Sequence, residues 1–83
     1  MNSRYKKILY RSTHRGLKEA DTLLGGFVFS QIRNLDDHDL KGLEELLNEP
    51  DAKIIDWILK KTPLPLGCKR QVLKKIIQSL GDS

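Results

Sequence analysis

Cys68 stands beside Lys69 and Arg70, and neighbouring cations lower the pKa of a thiol and raise its reactivity. A nucleophilic cysteine also needs a base. Neither His14 nor His38 is near it in sequence, so Cys68 reads as structural or incidental. The two histidines lie far apart, and with a single cysteine the chain offers no zinc-site spacing. His14 reads as a helix-end cation and His38 as a solvated residue in an acidic turn. Asp36, Asp37 and Asp39 lack the glycine and the bidentate acid that a calcium loop needs in register, and helix capping accounts for them. Gly25-Gly26 is not followed by the Lys-Ser or Lys-Thr of a phosphate loop, and Trp57 among isoleucines reads as core. No converging catalytic set emerges, and the expectation is a protein that is not an enzyme.

One constellation remains, Arg15-Gly16-Leu17-Lys18-Glu19-Ala20-Asp21. Each residue has a structural reading: Arg15 as a cation at a helix C-terminus, Gly16 as the left-handed C′ glycine, and Glu19 and Asp21 as acids in or near a first turn. The functional reading starts from the same geometry. A helix–glycine–helix corner brings an arginine fork and a carboxylate together around a spot without a side chain, where a partner's backbone can approach closely. Arg15, Gly16, Glu19 and Asp21 are therefore the candidate partner-binding residues.

The elements that must hold this corner read as helix nearly throughout, because apolar residues recur at three- and four-residue intervals. The expectation is an all-α, compact bundle of about five short helices forming a single domain over residues 1–83. The first runs from Ser3 to His14. The second runs from about Leu17 to Arg33 and is interrupted at Gly25-Gly26, where a bend, a break or a close helix contact is expected. Asp36 or Asp37 caps a third helix carrying Leu40, Leu43, Leu46 and Leu47, which ends before Pro50. Pro50 or Asp51 starts a fourth, whose Ile54, Ile55, Trp57, Ile58 and Leu59 predict the most buried helix. Thr62-Pro63-Leu64-Pro65 is a stiff connector. The last helix, about Cys68 to Leu80, points Val72, Leu73, Ile76, Ile77 and Leu80 inward.

Net charge is +4, distributed in blocks. Arg4, Lys6, Lys7, Arg11, Arg15 and Lys18 precede any acid, residues 19–51 are acidic with only Arg33 and Lys41 as counterweight, and the remainder is basic again. Basic ends leave a nucleic-acid-binding or antitoxin-like regulatory protein as the alternative reading. The acidic centre and the lack of an aromatic-rich basic stripe speak against it, and solvated helix faces explain the charges. No apolar run approaches the ~20 residues that span a bilayer, the first residues lack a secretory h-region, and one cysteine excludes an internal disulfide. A soluble, cytoplasmic protein without a membrane partner is expected.

The arrangement of Arg15, Gly16 and Glu19 between two short helices resembles the succinate dehydrogenase assembly factor family. The likeness extends to Asp21, to the upstream Leu9-Tyr10-x-Ser12, and to Leu46-Leu47-Asn48-Glu49-Pro50-Asp51 followed by Asp56-Trp57. It departs from the family at His14, at Gly25-Gly26, and at Lys60-Lys61-Thr62, where a glycine often follows the tryptophan helix. The resemblance implies a five-helix chaperone that binds the flavoprotein subunit of succinate dehydrogenase, and of fumarate reductase in some lineages. It further implies that the chaperone promotes covalent attachment of FAD to that subunit without holding a cofactor stably itself, and that Arg15, Gly16 and Glu19 lie at the contact.

Overall fold

The computed structural model describes residues 2–81, so Met1, Asp82 and Ser83 of the expected 1–83 domain lie outside the described residues. Five helices follow one another: α1 (Ser3–Thr13), α2 (residues 18–31), α3 (Asp37–Leu46), α4 (Asp51–Ile58) and α5 (Cys68–Gly81). No strand occurs among the described residues. No helix among them is long and apolar enough to cross a membrane.

The apolar spacing read from the sequence becomes one core, in which Ile8, Leu24, Val28, Leu43, Leu46, Ile54, Val72, Leu73 and Ile76 are almost completely removed from water. Helix α2 is composite, with an α turn (Lys18–Ala20), a π turn (Asp21–Gly25) and an α segment (Gly26–Gln31), and a separate 3-10 turn (Ile32–Asn34) follows it. The expected disturbance at the glycine pair is thus a π turn together with a close contact. A Cβ on Gly25 would lie 2.9 Å from Thr13 Cγ2, so the missing side chain lets α2 lie against the end of α1. Ser12, fully buried on that same contact, donates to the Ile8 carbonyl at 2.7 Å and so leaves no polar atom unsatisfied.

Helix α3 starts on a capping box: the Asp36 carboxylate accepts from the Asp39 N–H at 2.8 Å, and Asp39 answers from the Asp36 N–H. Asp39 is also the most deeply buried charge, and Gln71 Nε2 (2.8 Å) and Lys75 Nζ of α5 donate to it. Burial pushes its pKa up, but the hydrogen bonds from Lys75, Gln71 and the Asp36 N–H outweigh burial and hold it below the usual carboxylate value. Packing of α3 on α5 depends on Gly42, where a Cβ would stand 2.3 Å from the Cys68 carbonyl oxygen.

Two expectations are corrected here. Helix α3, with Asp39, Leu40, Gly42, Leu43 and Leu46 buried, is the most enclosed helix, rather than α4, which buries Ile54, Trp57 and Ile58. The α4 positions Ile55 and Leu59, one turn apart on the same face, point away from the core, and Leu59 is 52% exposed. Helix α4 ends in a Schellman-type turn in which the Lys61 N–H donates to the Asp56 carbonyl and the Lys60 N–H to the Trp57 carbonyl. Lys60 holds the left-handed position of that turn with φ 61°, the place that glycine usually fills.

Candidate functional site

Helix α1 stops at Thr13 because His14 leaves helical geometry (φ −124°, ψ 47°), and its Nδ1–H donates to the Tyr10 carbonyl at 2.8 Å. The imidazole stacks on the Tyr10 ring with centroids 3.9 Å apart. The expected helix-end position of His14 is therefore found. Gly16 differs from expectation. It is not a left-handed C′ residue, since Gly67 is the only glycine with positive φ among the described residues. Carboxylates close this corner in place of a left-handed turn: the Arg15 N–H donates to Asp21 Oδ1 at 2.7 Å and the Leu17 N–H to Asp51 Oδ2 at 3.3 Å.

The Arg15 side chain turns inward. Its Nε donates to Asp51 Oδ1, Nη1 to the Leu47 carbonyl (3.0 Å) and Nη2 to the Glu49 carbonyl (2.6 Å), and the side chain is only 12% exposed. Leu47 caps α3 and Asp51 opens α4, so one guanidinium satisfies orphan carbonyls at the negative end of one helix and a carboxylate at the positive end of the next. The Asp51 pKa is lowered chiefly by the hydrogen bond from Arg15, with burial opposing it and the Leu17 and Gly16 backbone amides assisting. Sequence reasoning brings the arginine fork together with a carboxylate, but that carboxylate is Asp51, not Glu19. Asp51 was legible as a helix start and as part of the family resemblance but not as the partner of Arg15, which is distant in the chain.

Glu19 and Gly16 are exposed, and the Glu19 carboxylate makes no hydrogen bond or ion pair among the described residues. Asp21 is half-buried and spends a carboxylate oxygen on the corner's backbone. A Cβ on Gly16 would meet only Asp51 Oδ2, at an ordinary 3.7 Å. Arg15 and Asp21 thus hold the corner through their own hydrogen bonds, while Gly16 and Glu19 are exposed. Beside Glu19 an apolar groove of about 360 Å³ runs between α2 and α4, lined by Lys18, Thr22, Leu23, Ile55 and Leu59. Periodicity had assigned Ile55 and Leu59 to the core, so this groove was not foreseen.

A second pairing also escaped the sequence. His38 Nε2 lies 3.1 Å from Cys68 Sγ, although the two are distant in the chain, because Gly42 draws the first turn of α5 onto α3 one turn beyond His38. Cys68 is a half-buried free thiol. Among the described residues no group of three or more His, Cys, Asp or Glu side chains is placed to hold a metal ion.

Comparison of the sequence with known proteins finds relatives. Residues 6–80 match the family model described as flavinator of succinate dehydrogenase. The chain is 42% identical over 71 residues to a Dictyostelium discoideum protein named succinate dehydrogenase assembly factor 2, mitochondrial, covering 86% of this chain and 50% of that one. It is 30% identical over 76 residues to the FAD assembly factor SdhE of Acetobacter pasteurianus, covering 92% of this chain and 70% of that protein. A Candida glabrata protein, also named succinate dehydrogenase assembly factor 2, mitochondrial, is 31% identical over 80 residues. The chain spans about half the length of the Dictyostelium and Candida relatives.

Proposed function

The chain belongs to the family of flavinators of succinate dehydrogenase, whose model spans residues 6–80, and from that membership we propose that it binds the flavoprotein subunit of succinate dehydrogenase and promotes covalent attachment of FAD to it. The family match carries this reading. The corner supports it with a physical role for each residue. Gly16 and Glu19 touch the flavoprotein, and Arg15 and Asp21 are positioning residues that keep the contact surface in one conformation before binding, which lowers the ordering cost of association.

The protein acts as a chaperone, not an enzyme. One open groove of about 420 Å³ is lined by Pro63, Leu64 and Ile77 together with Lys60, Lys74 and two neutral polar side chains, and it holds no acid or histidine to exchange a proton with a substrate. A binding protein promotes a reaction in its partner only by preferring one partner conformation, so the chain stabilises the flavoprotein conformer that completes its own covalent chemistry. FAD ends on the partner and is not held stably by this chain. The place of action we infer is the cytoplasm; the Dictyostelium and Candida relatives are named as mitochondrial.

The test is covalent flavin fluorescence of the succinate dehydrogenase flavoprotein after denaturing electrophoresis, in cells lacking this protein. Wild type is expected to restore the signal and Glu19→Ala to leave it low. Unchanged flavin content on deletion would overturn the proposal.

A further inference from the structure

The groove between α2 and α4 is an open apolar surface that the fold itself leaves uncovered. Leu59 is 52% exposed at its edge, Ile55 and Leu23 are half-buried along its floor, and Leu17, next in sequence to Lys18, is 43% exposed beside it. Ile55 and Leu59 form an i, i+4 pair on the outer face of α4, and apolar side chains at that spacing gain nothing from facing water. Glu19 stands on the rim with its carboxylate unpaired among the described residues. Its neighbour Lys18 lines the groove from the same first turn of α2 and carries a long, strongly hydrated side chain.

Resting on the docking reading above, we propose that this groove is the energetic anchor of the interface. It receives one apolar side chain of the flavoprotein, and a basic residue beside that side chain on the same segment pairs with Glu19. The volume, about 360 Å³, has room for a large aliphatic or aromatic side chain, and interfaces concentrate their binding energy in such central apolar anchors rimmed by polar pairs. Gly16, on the neighbouring turn, then provides clearance for the partner's backbone. The groove accordingly extends the corner into a two-part site: a cation contact at Glu19 and an apolar socket formed by Leu23, Ile55 and Leu59.

The experiment is titration calorimetry of the full chain with the cognate flavoprotein subunit purified before covalent flavinylation. Four variants are compared, Leu59→Asp, Leu59→Ala, Glu19→Gln and Leu66→Asp, each checked by circular dichroism for an unchanged helical signal. Leu66 is 80% exposed and lies outside the groove, so it serves as the control. The expected result is a Kd raised at least tenfold by Leu59→Asp and severalfold by Leu59→Ala, with Leu66→Asp at the wild-type value. Glu19→Gln is expected to weaken binding and flatten its salt dependence, because a cation contact is lost.

Wild-type affinity in both Leu59 variants, with Glu19→Gln still weakened, would overturn the socket and leave the docking corner standing. An unchanged salt dependence in Glu19→Gln would overturn the basic residue. Self-association of the chain that Leu59→Asp abolishes, with flavoprotein affinity intact, would make the groove an interface between copies and overturn the proposal. No binding by wild type would remove the docking reading itself.

Discussion

A methyl group at position 16 would meet only Asp51 Oδ2, at 3.7 Å, and the backbone there needs no positive φ, so neither packing nor conformation requires glycine at this place. Under the proposed docking, the bare position serves the partner and not the fold. Gly16→Ala is expected to change stability by less than about 0.5 kcal/mol, as surface substitutions do, while weakening flavoprotein binding. A melting temperature lowered as far as a core substitution lowers it would refute that assignment. Arg15 behaves in the opposite way. Arg15→Ala leaves two carbonyls without their donor and the half-buried Asp51 carboxylate with backbone donation alone, and is expected to cost about 2 kcal/mol of stability, read from the urea midpoint. The sequence drew attention to Arg15, Gly16, Glu19 and Asp21, and of these the structure joins Arg15 to Asp21 by a hydrogen bond. It could not show which of them face inward, because the groups that claim Arg15 come from residues 47–51, and pattern along the chain carries no information about pairing at that separation.

The helices themselves were the most legible part. The Asp36 cap, the start of α4 at Asp51 and the start of α5 at Cys68 fall where capping chemistry and proline placed them. Less legible were features decided by neighbours in space. Gly42 read as an unremarked helix residue, yet a Cβ there would overlap the Cys68 carbonyl, so Gly42→Ala is expected to lower stability by about 2 kcal/mol through separation of α3 from α5, seen as a reduced thermal midpoint. The burial of α4 was overestimated for a related reason: a run of five large apolar residues supplies more apolar surface than one short helix can turn inward. At the end of α4, Lys60 occupies a left-handed position that costs a residue with a Cβ about 1 kcal/mol or more. Lys60→Gly is expected to raise the unfolding free energy by about 1 kcal/mol, offset slightly by glycine's greater chain entropy, without affecting flavinylation.

Across the whole molecule the alternating blocks of charge become intramolecular complementarity. Arg4 reaches Asp37 and Glu44, Arg11 reaches Asn48 at 2.7 Å, and Arg15 reaches Asp51, so the basic first helix and its end clasp the acidic middle. From the other side Lys69 pairs with Glu49 and Lys75 with Asp39, while Lys53 and Lys69 lie over the Trp57 ring. The blocks were visible in the sequence, but solvated faces was too bland an account of them. The same pairing sets the response to acid. Asp39 and Asp51 titrate below their unfolded values, so their contribution to stability is complete above the unfolded carboxylate pKa, about 4, and is lost as pH falls through the lower folded values. Thermal stability is therefore expected to hold from pH 7 to about 5 and to fall below about 4. Asp39→Asn and Asp51→Asn are each expected to lower that plateau and flatten the acid limb, and an unaltered limb in both would show that other carboxylates govern it.

The π turn at Asp21–Gly25 gives α2 one residue more than a regular helix of the same rise would contain. Each residue of an α-helix turns the chain by about 100°, so this surplus sets the angular phase between the segment that carries Glu19 and the segment that carries Phe27 and Val28 into the core. Position along the sequence and bearing around the bundle are thereby uncoupled. A lineage that lost a single residue between 21 and 25 would keep every side chain of the corner and still present its carboxylate in a different direction.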